Sequence, residues 1–111
     1  MMLLQIYFEI DTLKQAEFEA MYTAVYVPAL RQQQGYIRSS LLRIFPADLA
    51  QEIGAAPTQF EYQLELVFDT EENRRRWVAS PEHQRAWPQA AALARSVAHR
   101  AYVIAGDDFN P

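Results

Sequence analysis

Residues able to do chemistry are concentrated between positions 76 and 87, where the sequence reads RWVASPEHQRAW. This stretch holds both tryptophans of the chain, Trp77 and Trp87, and one of its two histidines, His83. A Ser-Pro pair is a typical helix start, which places His83 at the third position of a helix. Because the positive end of a helix dipole disfavours imidazolium, a neutral His83 could take a proton from a substrate as a general base.

The same residues have a purely structural interpretation. Trp77 and Trp87 are close to three helical turns apart, so both could be core aromatics, although a break at the Ser-Pro pair changes the angle between them. Pro88 follows Trp87 directly, and its bend could hold that indole at the rim of a pocket. His83 could be exposed, or its ring could bond to the local backbone.

Three tyrosines, Tyr22, Tyr26 and Tyr36, extend the aromatic set. Tyr22 and Tyr26 are four residues apart, so they share one face of a predicted helix, and Tyr36 opens the next strand. A tyrosine offers a flat apolar ring and a hydroxyl, which suits an aromatic ligand. Ordinary core packing with the hydroxyls at the surface is the alternative. Together with the tryptophans, these residues predict an aromatic-lined cavity.

Several other kinds of site are excluded or unsupported. The chain has no cysteine, so it forms neither a disulfide nor a thiolate nucleophile. Its three glycines are scattered and form no phosphate-binding loop. His83 and His99 have no third ligand in register. We therefore predict no metal site and no cofactor.

Charge and the N-terminus bound the partners and the location. With 14 acidic and 10 basic residues the net charge is −4, which argues against a nucleic-acid partner. The only dense basic run, 74–76, follows two glutamates and is typical of a solvated helix face. The start, MMLLQIYFEIDTLK, lacks a basic leader, so we expect neither a signal peptide nor a membrane span. We predict a cytoplasmic protein.

The apolar pattern predicts a single domain over 1–106, followed by a short C-terminal tail at 107–111. Period-two alternation predicts four strands, at 2–10, 35–45, 60–68 and 99–106. Helical periodicity predicts a first helix from Leu13 that kinks or restarts near Val27, because Pro28 removes a backbone donor. The second helix falls in two pieces, at 71–79 and 81–96. The 46–59 segment is predicted as a loop with a short helical turn at 47–53.

This order, β-α-β-β-α-β, predicts an α+β ferredoxin-like fold: a four-stranded antiparallel sheet with two helices, one of them broken, on one face. The opposite face is polar, with Gln5, Glu9, Glu61, Gln63 and Glu65, and an arginine from the second strand (Arg38 or Arg43) and Arg100 could join them. A monomer leaves this face in water, whereas a dimer stacks two such faces. The residues alone slightly favour the monomer, because buried ion pairs stabilise weakly.

Two stretches resemble the antibiotic biosynthesis monooxygenase-like family of the dimeric α/β-barrel superfamily. They are FEAMYTAVYVPALRQQQGYIRSSLLRIF and YQLELVFDTEENRRRWVASPEHQRAW. The second contains the pattern Trp-x-x-Ser-x-x-His, here Trp77, Ser80 and His83. The resemblance implies a homodimer whose sheets stack into a barrel, which replaces the monomer expectation. It also implies a small-molecule pocket between sheet and helices.

Members of this family include cofactor-independent oxygenases of aromatic polyketides and quinols, and haem-degrading enzymes. The haem branch fits poorly, because its iron-ligating histidine ten residues after the first tryptophan is replaced here by Trp87. Strand one offers Gln5, Tyr7 and Glu9 in place of the asparagine usual in that branch, and the same loss weakens the oxygenase interpretation.

The function predicted is that of a cofactor-independent monooxygenase acting on an aromatic or quinol-type small molecule. His83 would be the base or hydrogen-bond partner, and the cavity would be lined by Trp77, Trp87, Tyr22, Tyr26 and Tyr36. The alternative is a non-catalytic dimeric barrel that binds a small hydrophobic ligand or only assembles; a haem or metal protein is a third possibility. A filled interior would favour a non-catalytic barrel, and an open cavity would favour the enzyme.

Overall fold

The computed structural model describes residues 1–108 and 110. Of the predicted tail 107–111, Phe109 and Pro111 lie outside the described residues. The described strands are β1 (Met2–Ile10), β2 (Tyr36–Arg43), β3 (Tyr62–Phe68) and β4 (Ala94–Val103). They form one sheet in the order β2-β3-β1-β4, and all neighbouring strands are antiparallel. The predicted α+β ferredoxin-like sheet is confirmed.

The helices complete the fold. They are α1 (Gln15–Met21), α2 (Val27–Arg31), α3 (Ala47–Glu52), α4 (Glu71–Ala79) and α5 (Pro81–Leu93), with a 3-10 turn at Thr12–Lys14 and a π-helical segment at Tyr22–Tyr26. The core lies between the inner face of the sheet and these helices, where Phe8, Phe18 and Leu66 are almost fully buried. None of the helices in the described part of the chain is both long and apolar enough to span a membrane.

The first helix is predicted to kink or restart near Val27, and in the structure α2 begins at Val27 directly after the π segment, which shows how Pro28 is accommodated. The N–H of Val27 donates to the carbonyl of Tyr22, five residues back, and Pro28 then falls in the first turn of α2. A proline is tolerated there because its missing N–H would have little to bond. The wide turn therefore lets one helix continue across a residue that would otherwise end it.

Gly35 connects α2 to β2 in a left-handed conformation, with φ of +80°. A Cβ at this position would lie 2.2 Å from Oδ1 of Asp69, which itself accepts a 2.8 Å hydrogen bond from Nδ2 of Asn73. The backbone of Gly35 also accepts a 2.9 Å bond from the N–H of Asp69. The predicted helix stop is thus a tight junction that joins β2 to the start of α4.

The largest departure from the predicted elements is at the last strand. The prediction continued the second helix to Ser96 and began strand four at His99, but α5 ends at Leu93 and β4 begins at Ala94. The early start follows from pairing, because β4 matches β1 from Met2 as far as Ile10. Backbone hydrogen bonds along the whole of β1 outweigh the helical preference of the alanine-rich stretch before it.

The sheet face away from the helices carries a polar network. Nε2 of Gln5 donates to Glu65 over 3.0 Å, and the hydroxyl of Tyr7 donates to Oε1 of Gln5 over 2.6 Å. Phe60 lies in the predicted strand 60–68 but precedes β3, and its ring packs on Tyr7. Of the two candidate arginines of β2, Arg43 pairs with Glu19 of α1 on the helix side.

Candidate functional site

A cavity of about 430 Å³ lies between the sheet and helices α4 and α5. Its volume falls in the range of about 300–1,000 Å³ that is usual for small-molecule sites. Most of the wall is apolar or aromatic, with Leu4, Ile6, Tyr26, Trp77, Val78, Trp87 and Ala101. The remaining wall residues are His83, His99, Glu71 and Arg74. A concavity therefore lies beside part of the aromatic set selected from the sequence.

The predicted break at Ser80 and Pro81 positions this wall. Oγ of Ser80 donates to the carbonyl of Trp77 over 2.7 Å, which ends α4, and accepts a 3.1 Å bond from the N–H of His83, which caps α5. One serine hydroxyl therefore fixes the angle between the two helices. This angle brings the imidazole of His83 edge-on to the indole of Trp77, with 4.8 Å between the ring centroids.

His83 is half-buried, and its ring forms no hydrogen bond to any of residues 1–108 or 110. Burial lowers the pKa of His83 below its usual value near 6.5, because the charged imidazolium loses solvation. At neutral pH the ring is therefore uncharged, with one nitrogen able to accept a proton. This is the protonation state that a general base requires.

Tyr26, which helps to line the same cavity, carries a buried hydroxyl that is unusual. The residue is only 1% exposed, and its hydroxyl has no hydrogen-bond partner in the described part of the chain. Burial raises the pKa of Tyr26, so the phenol stays protonated and remains a donor. A buried hydroxyl without a partner destabilises a fold by about 1–3 kcal/mol, so it is a feature that a ligand could explain.

The two tryptophans play different parts. Trp77 is 1% exposed and packs edge-on against Tyr26, with 5.7 Å between their ring centroids, so it belongs to the core as well as to the cavity wall. Trp87 is half-buried and lies between the two histidines, with ring centroids 6.2 Å from His83 and 5.8 Å from His99. Trp87 is therefore a partly exposed aromatic residue of the cavity wall.

His99 is a cavity residue that was not among the predicted site residues. It pairs with Ile6 in the sheet, so its side chain is on the helix-facing side, where it is exposed at the edge of the cavity. The part of its ring that packs on Trp87 is shielded from water, and this burial lowers the pKa of His99. The sequence pattern that indicates this position is the alternation through Val97, His99 and Ala101. A strand predicted to start only at His99 leaves Val97 out of that pattern.

One charged pair completes the wall. Arg74 and Glu71 of α4 form an ion pair in which Nε of Arg74 lies 3.2 Å from Oε2 of Glu71. Glu71 also pairs with Arg75, and neither histidine ring is oriented by a carboxylate of residues 1–108 or 110. Among residues 1–108 and 110, no three acidic, histidine or cysteine side chains lie close enough together to hold a metal ion.

The structure brings together four of the six residues selected from the sequence: His83, Trp77, Trp87 and Tyr26. The other two, Tyr22 and Tyr36, lie at the β2 edge of the sheet, where both hydroxyls bond to Oγ of Ser39, over 2.7 and 2.8 Å. Tyr22 is one turn before Tyr26 and reaches the edge strand, whereas Tyr26 reaches α4. Tyr22 and Tyr26 therefore belong to different sites, although they are four residues apart on the predicted helix.

The 46–59 segment does not cover the cavity of His83. It forms α3 and encloses a separate apolar concavity of about 830 Å³ together with Ile44 and Phe60. No residue of this segment is among those that line the His83 cavity. The residues that line the His83 cavity come from β1, the π segment, α4, α5 and β4.

Solved structures share this fold, although no protein-family model and no curated protein sequence matches the chain. A mutant of SnoaB, a cofactor-independent oxygenase from Streptomyces nogalater, aligns with a TM-score of 0.74 at 20% identity, over 96% of this chain and 94% of that one. A putative antibiotic biosynthesis monooxygenase from Nitrosomonas europaea gives 0.69 at 14% identity, over 93% and 97%.

A dimeric ferredoxin-like protein of unknown function from Jannaschia gives a TM-score of 0.72 at 12% identity, over 92% of this chain and 97% of that one. The chain therefore has the fold of the dimeric ferredoxin-like proteins. Solved structures with this fold include a cofactor-independent oxygenase and a putative antibiotic biosynthesis monooxygenase, so the resemblance stated from the sequence is confirmed for the fold.

Proposed function

We propose that this protein is a cofactor-independent monooxygenase that acts on an aromatic or quinol-type small molecule. The observation that carries the proposal is the cavity of about 430 Å³, whose wall places a neutral histidine beside two indoles and the ring of Tyr26. Such a set can bind a flat ring, remove a proton from it and stabilise the resulting anion. The fold shared with SnoaB supports this proposal.

The substrate would supply the electrons in this reaction. For an anthrone, His83 takes the proton of the enol hydroxyl, and the ring anion that remains forms a carbon–oxygen bond to O₂. The peroxide then receives the proton back from His83. Loss of water breaks the O–O bond and the remaining C–H bond, so that the methylene becomes a ketone and one oxygen atom of O₂ leaves as water.

Tyr26 would act on the anion in the same reaction. Its hydroxyl is protonated and has no partner in the described part of the chain, so it can donate to the substrate oxygen once His83 has removed the proton. The surrounding apolar wall strengthens that bond, because an electrostatic interaction is less screened away from water. Trp87 would hold the ring by stacking.

We further propose that the protein acts as a homodimer whose polar sheet faces stack against each other. Structural neighbours of this chain include dimeric ferredoxin-like proteins. The face bears Glu65 and Gln5 within one network and the exposed Arg100 opposite Gln5, so a two-fold arrangement can place unlike charges opposite each other.

A non-catalytic ligand-binding role is the second candidate. It is favoured by one observation: neither His83 nor His99 is oriented by a carboxylate of the described residues, because Glu71 is already paired with Arg74. A base without an orienting partner is less well positioned for proton transfer. In this case the cavity would bind the same flat molecules and leave them unchanged.

Oxygen uptake in the presence of an anthrone distinguishes the two candidates. The wild-type protein, without added flavin, haem or metal, is expected to consume one O₂ per anthrone. His83→Gln should lower kcat by about 10²–10⁴-fold, the usual contribution of a general base. Gln84→Ala, at an exposed position on the same helix, serves as the matched control.

Two results would contradict the enzyme proposal. Anthrone binding without oxygen uptake by the wild-type protein would favour the non-catalytic ligand-binding role. Oxidation by His83→Gln at the wild-type rate would remove His83 from the reaction.

A further inference from the structure

A second concavity, of about 610 Å³, lies at the β2 edge of the sheet, against the π segment and α2. Its walls include Tyr22, Arg31, Tyr36, Arg38 and Ser39. None of these residues lines the cavity of His83. We infer that this concavity is a binding site for a small oxyanion, a carboxylate or phosphate group, held by the two guanidinium groups and the tyrosine hydroxyls.

Unpaired positive charge is the first observation that supports this inference. Arg31 and Arg38 form no ion pair with any of the described residues, whereas six other arginines each pair with a carboxylate. The chain as a whole carries an excess of acidic residues, 14 against 10 basic ones. Two guanidinium groups that share one concavity repel each other, and an anion between them reverses that repulsion.

The hydroxyl cluster supplies a second and independent observation. Tyr22, Ser39 and Tyr36 contribute three O–H groups, but only two hydrogen bonds connect them: Tyr22 to Ser39 over 2.7 Å and Tyr36 to Ser39 over 2.8 Å. One proton of the three is therefore left without an acceptor in the described residues. A surplus donor beside two cations is a polar arrangement suited to an oxyanion.

The shape of the chain at this point brings these groups together. The register of β2 against β3 shifts between Tyr36 and Arg38, so the strand is irregular here. Tyr36 packs against Phe68 on the core side, while Arg38 follows on the edge of the sheet. Irregularities of this kind redirect side chains at sheet edges. The π segment places Tyr22 opposite them.

Calorimetric titration of the full chain with inorganic phosphate and with acetate, at low ionic strength and pH 7, tests the inference. Arg31→Gln and Arg38→Gln should each weaken binding by about tenfold, which is the effect of removing one charge-assisted hydrogen bond. Tyr22→Phe should weaken it by about threefold or more. Arg75→Gln, at an exposed arginine outside the concavity, should leave the affinity unchanged.

Saturable binding of phosphate alone, of acetate alone or of both supports the inference if the two arginine variants weaken it, and the pattern shows which oxyanion the site prefers. Binding should also fall as sodium chloride is added, because salt screens the charges. The inference is overturned if neither ion binds saturably at millimolar concentration. Unchanged affinity in Arg31→Gln and Arg38→Gln, both confirmed as folded by circular dichroism, would overturn it equally.

Discussion

The imidazole of His83 lies almost parallel to the indole of Trp87, with 7° between the ring planes and 6.2 Å between their centroids. The two residues are one turn apart on α5, so the helix itself sets their relation. Trp87 also contacts His99 on β4, which means that one indole partly shields both histidines of the chain. The protonation of both is therefore coupled to the packing of Trp87.

The first prediction concerns stability and pH. Both histidines have a pKa below 6.5 in the folded protein, so between that lowered pKa and 6.5 the unfolded chain binds more protons. The free energy of unfolding should keep its full value above pH 6.5 and should fall as the pH drops towards the folded-state pKa. Urea unfolding between pH 7.5 and 5 measures this slope.

The double variant His83→Gln/His99→Gln provides the control for that slope. The carboxyls with lowered pKa, such as Glu19 and Asp69, lose their contribution only in a more acidic range, below their usual values near 4.5 and 3.8. The double variant should therefore be nearly insensitive to pH between 6.5 and 5. An equal slope in both proteins would contradict the assignment.

Tyr26→Phe should raise stability and lower function. Removing a buried hydroxyl that has no partner in the described residues should stabilise the free protein by about 1 kcal/mol, measured by urea unfolding. The same change should slow anthrone oxidation, because the anion loses a donor. Tyr22→Phe is the matched control: it breaks a hydrogen bond to Ser39 and should destabilise by about 0.5–1.5 kcal/mol. Destabilisation by Tyr26→Phe would show that its hydroxyl already has a partner.

The two tryptophans should respond differently to truncation. Trp77→Ala should destabilise the fold by about 3–5 kcal/mol, as expected for a buried large aromatic residue. Trp87→Ala should lower the free energy of unfolding less than Trp77→Ala, since the Trp87 indole is only half-buried. Its loss of binding free energy for a flat aromatic ligand should exceed its loss of folding stability. Unfolding by urea, together with equilibrium binding of anthraquinone, separates the two effects. Equal losses of stability would contradict the distinction.

Gly35→Ala should be strongly destabilising. An added Cβ would meet Asp69 at 2.2 Å, and φ of +80° adds about 1–2 kcal/mol of strain for any residue with a side chain. Gly54→Ala separates the two causes, because Gly54 has φ of +73° but a Cβ added there would meet no atom of the described residues within 4 Å. Thermal unfolding should show a larger loss for Gly35→Ala, and similar losses in the two variants would mean that the clash at Asp69 relaxes freely.

The proposed dimer predicts a sedimenting mass of twice 12.8 kDa at micromolar concentration. Ala98→Arg places a long charged side chain on the polar sheet face beside Tyr7 and should shift the equilibrium towards monomer. Leu13→Arg makes a similar chemical change at a position that is 93% exposed in the 3-10 turn and should leave the mass unchanged. A wild-type protein that sediments at 12.8 kDa would exclude the dimer at that concentration.

The fold was predictable because its signals are local. The bounds predicted for the first strand, 2–10, and for the first piece of the second helix, 71–79, agree with β1 and α4 residue for residue. Alternation along β1 and the cap at Thr70, which accepts a 3.1 Å bond from the N–H of Asn73, were legible without tertiary information. The start of β4 could not be predicted from local sequence, because it depends on pairing with a strand more than 80 residues earlier in the chain.

The candidate site was predictable in part for the same reason. Trp77, His83 and Trp87 lie on one short stretch whose geometry is set by the cap at Ser80. His99 enters the cavity through the register of β4 against β1, because the local alternation through Val97, His99 and Ala101 does not say which strand β4 pairs with. Likewise, whether a helix tyrosine meets α4 or the sheet edge depends on how the helix crosses the sheet.

The junction between α5 and β4 has a mechanical consequence. Leu93 is the last residue of α5 and Ala94 is the first residue of β4, so no loop residue separates the helix that carries Trp87 from the strand that carries His99. A single residue inserted here would turn the side chains of the strand over to the opposite face, or force the helix to rotate by about 100°. The number of residues between Trp87 and His99 thus sets how the two side chains face each other across the cavity. Insertions and deletions should therefore be tolerated far less at this junction than substitutions.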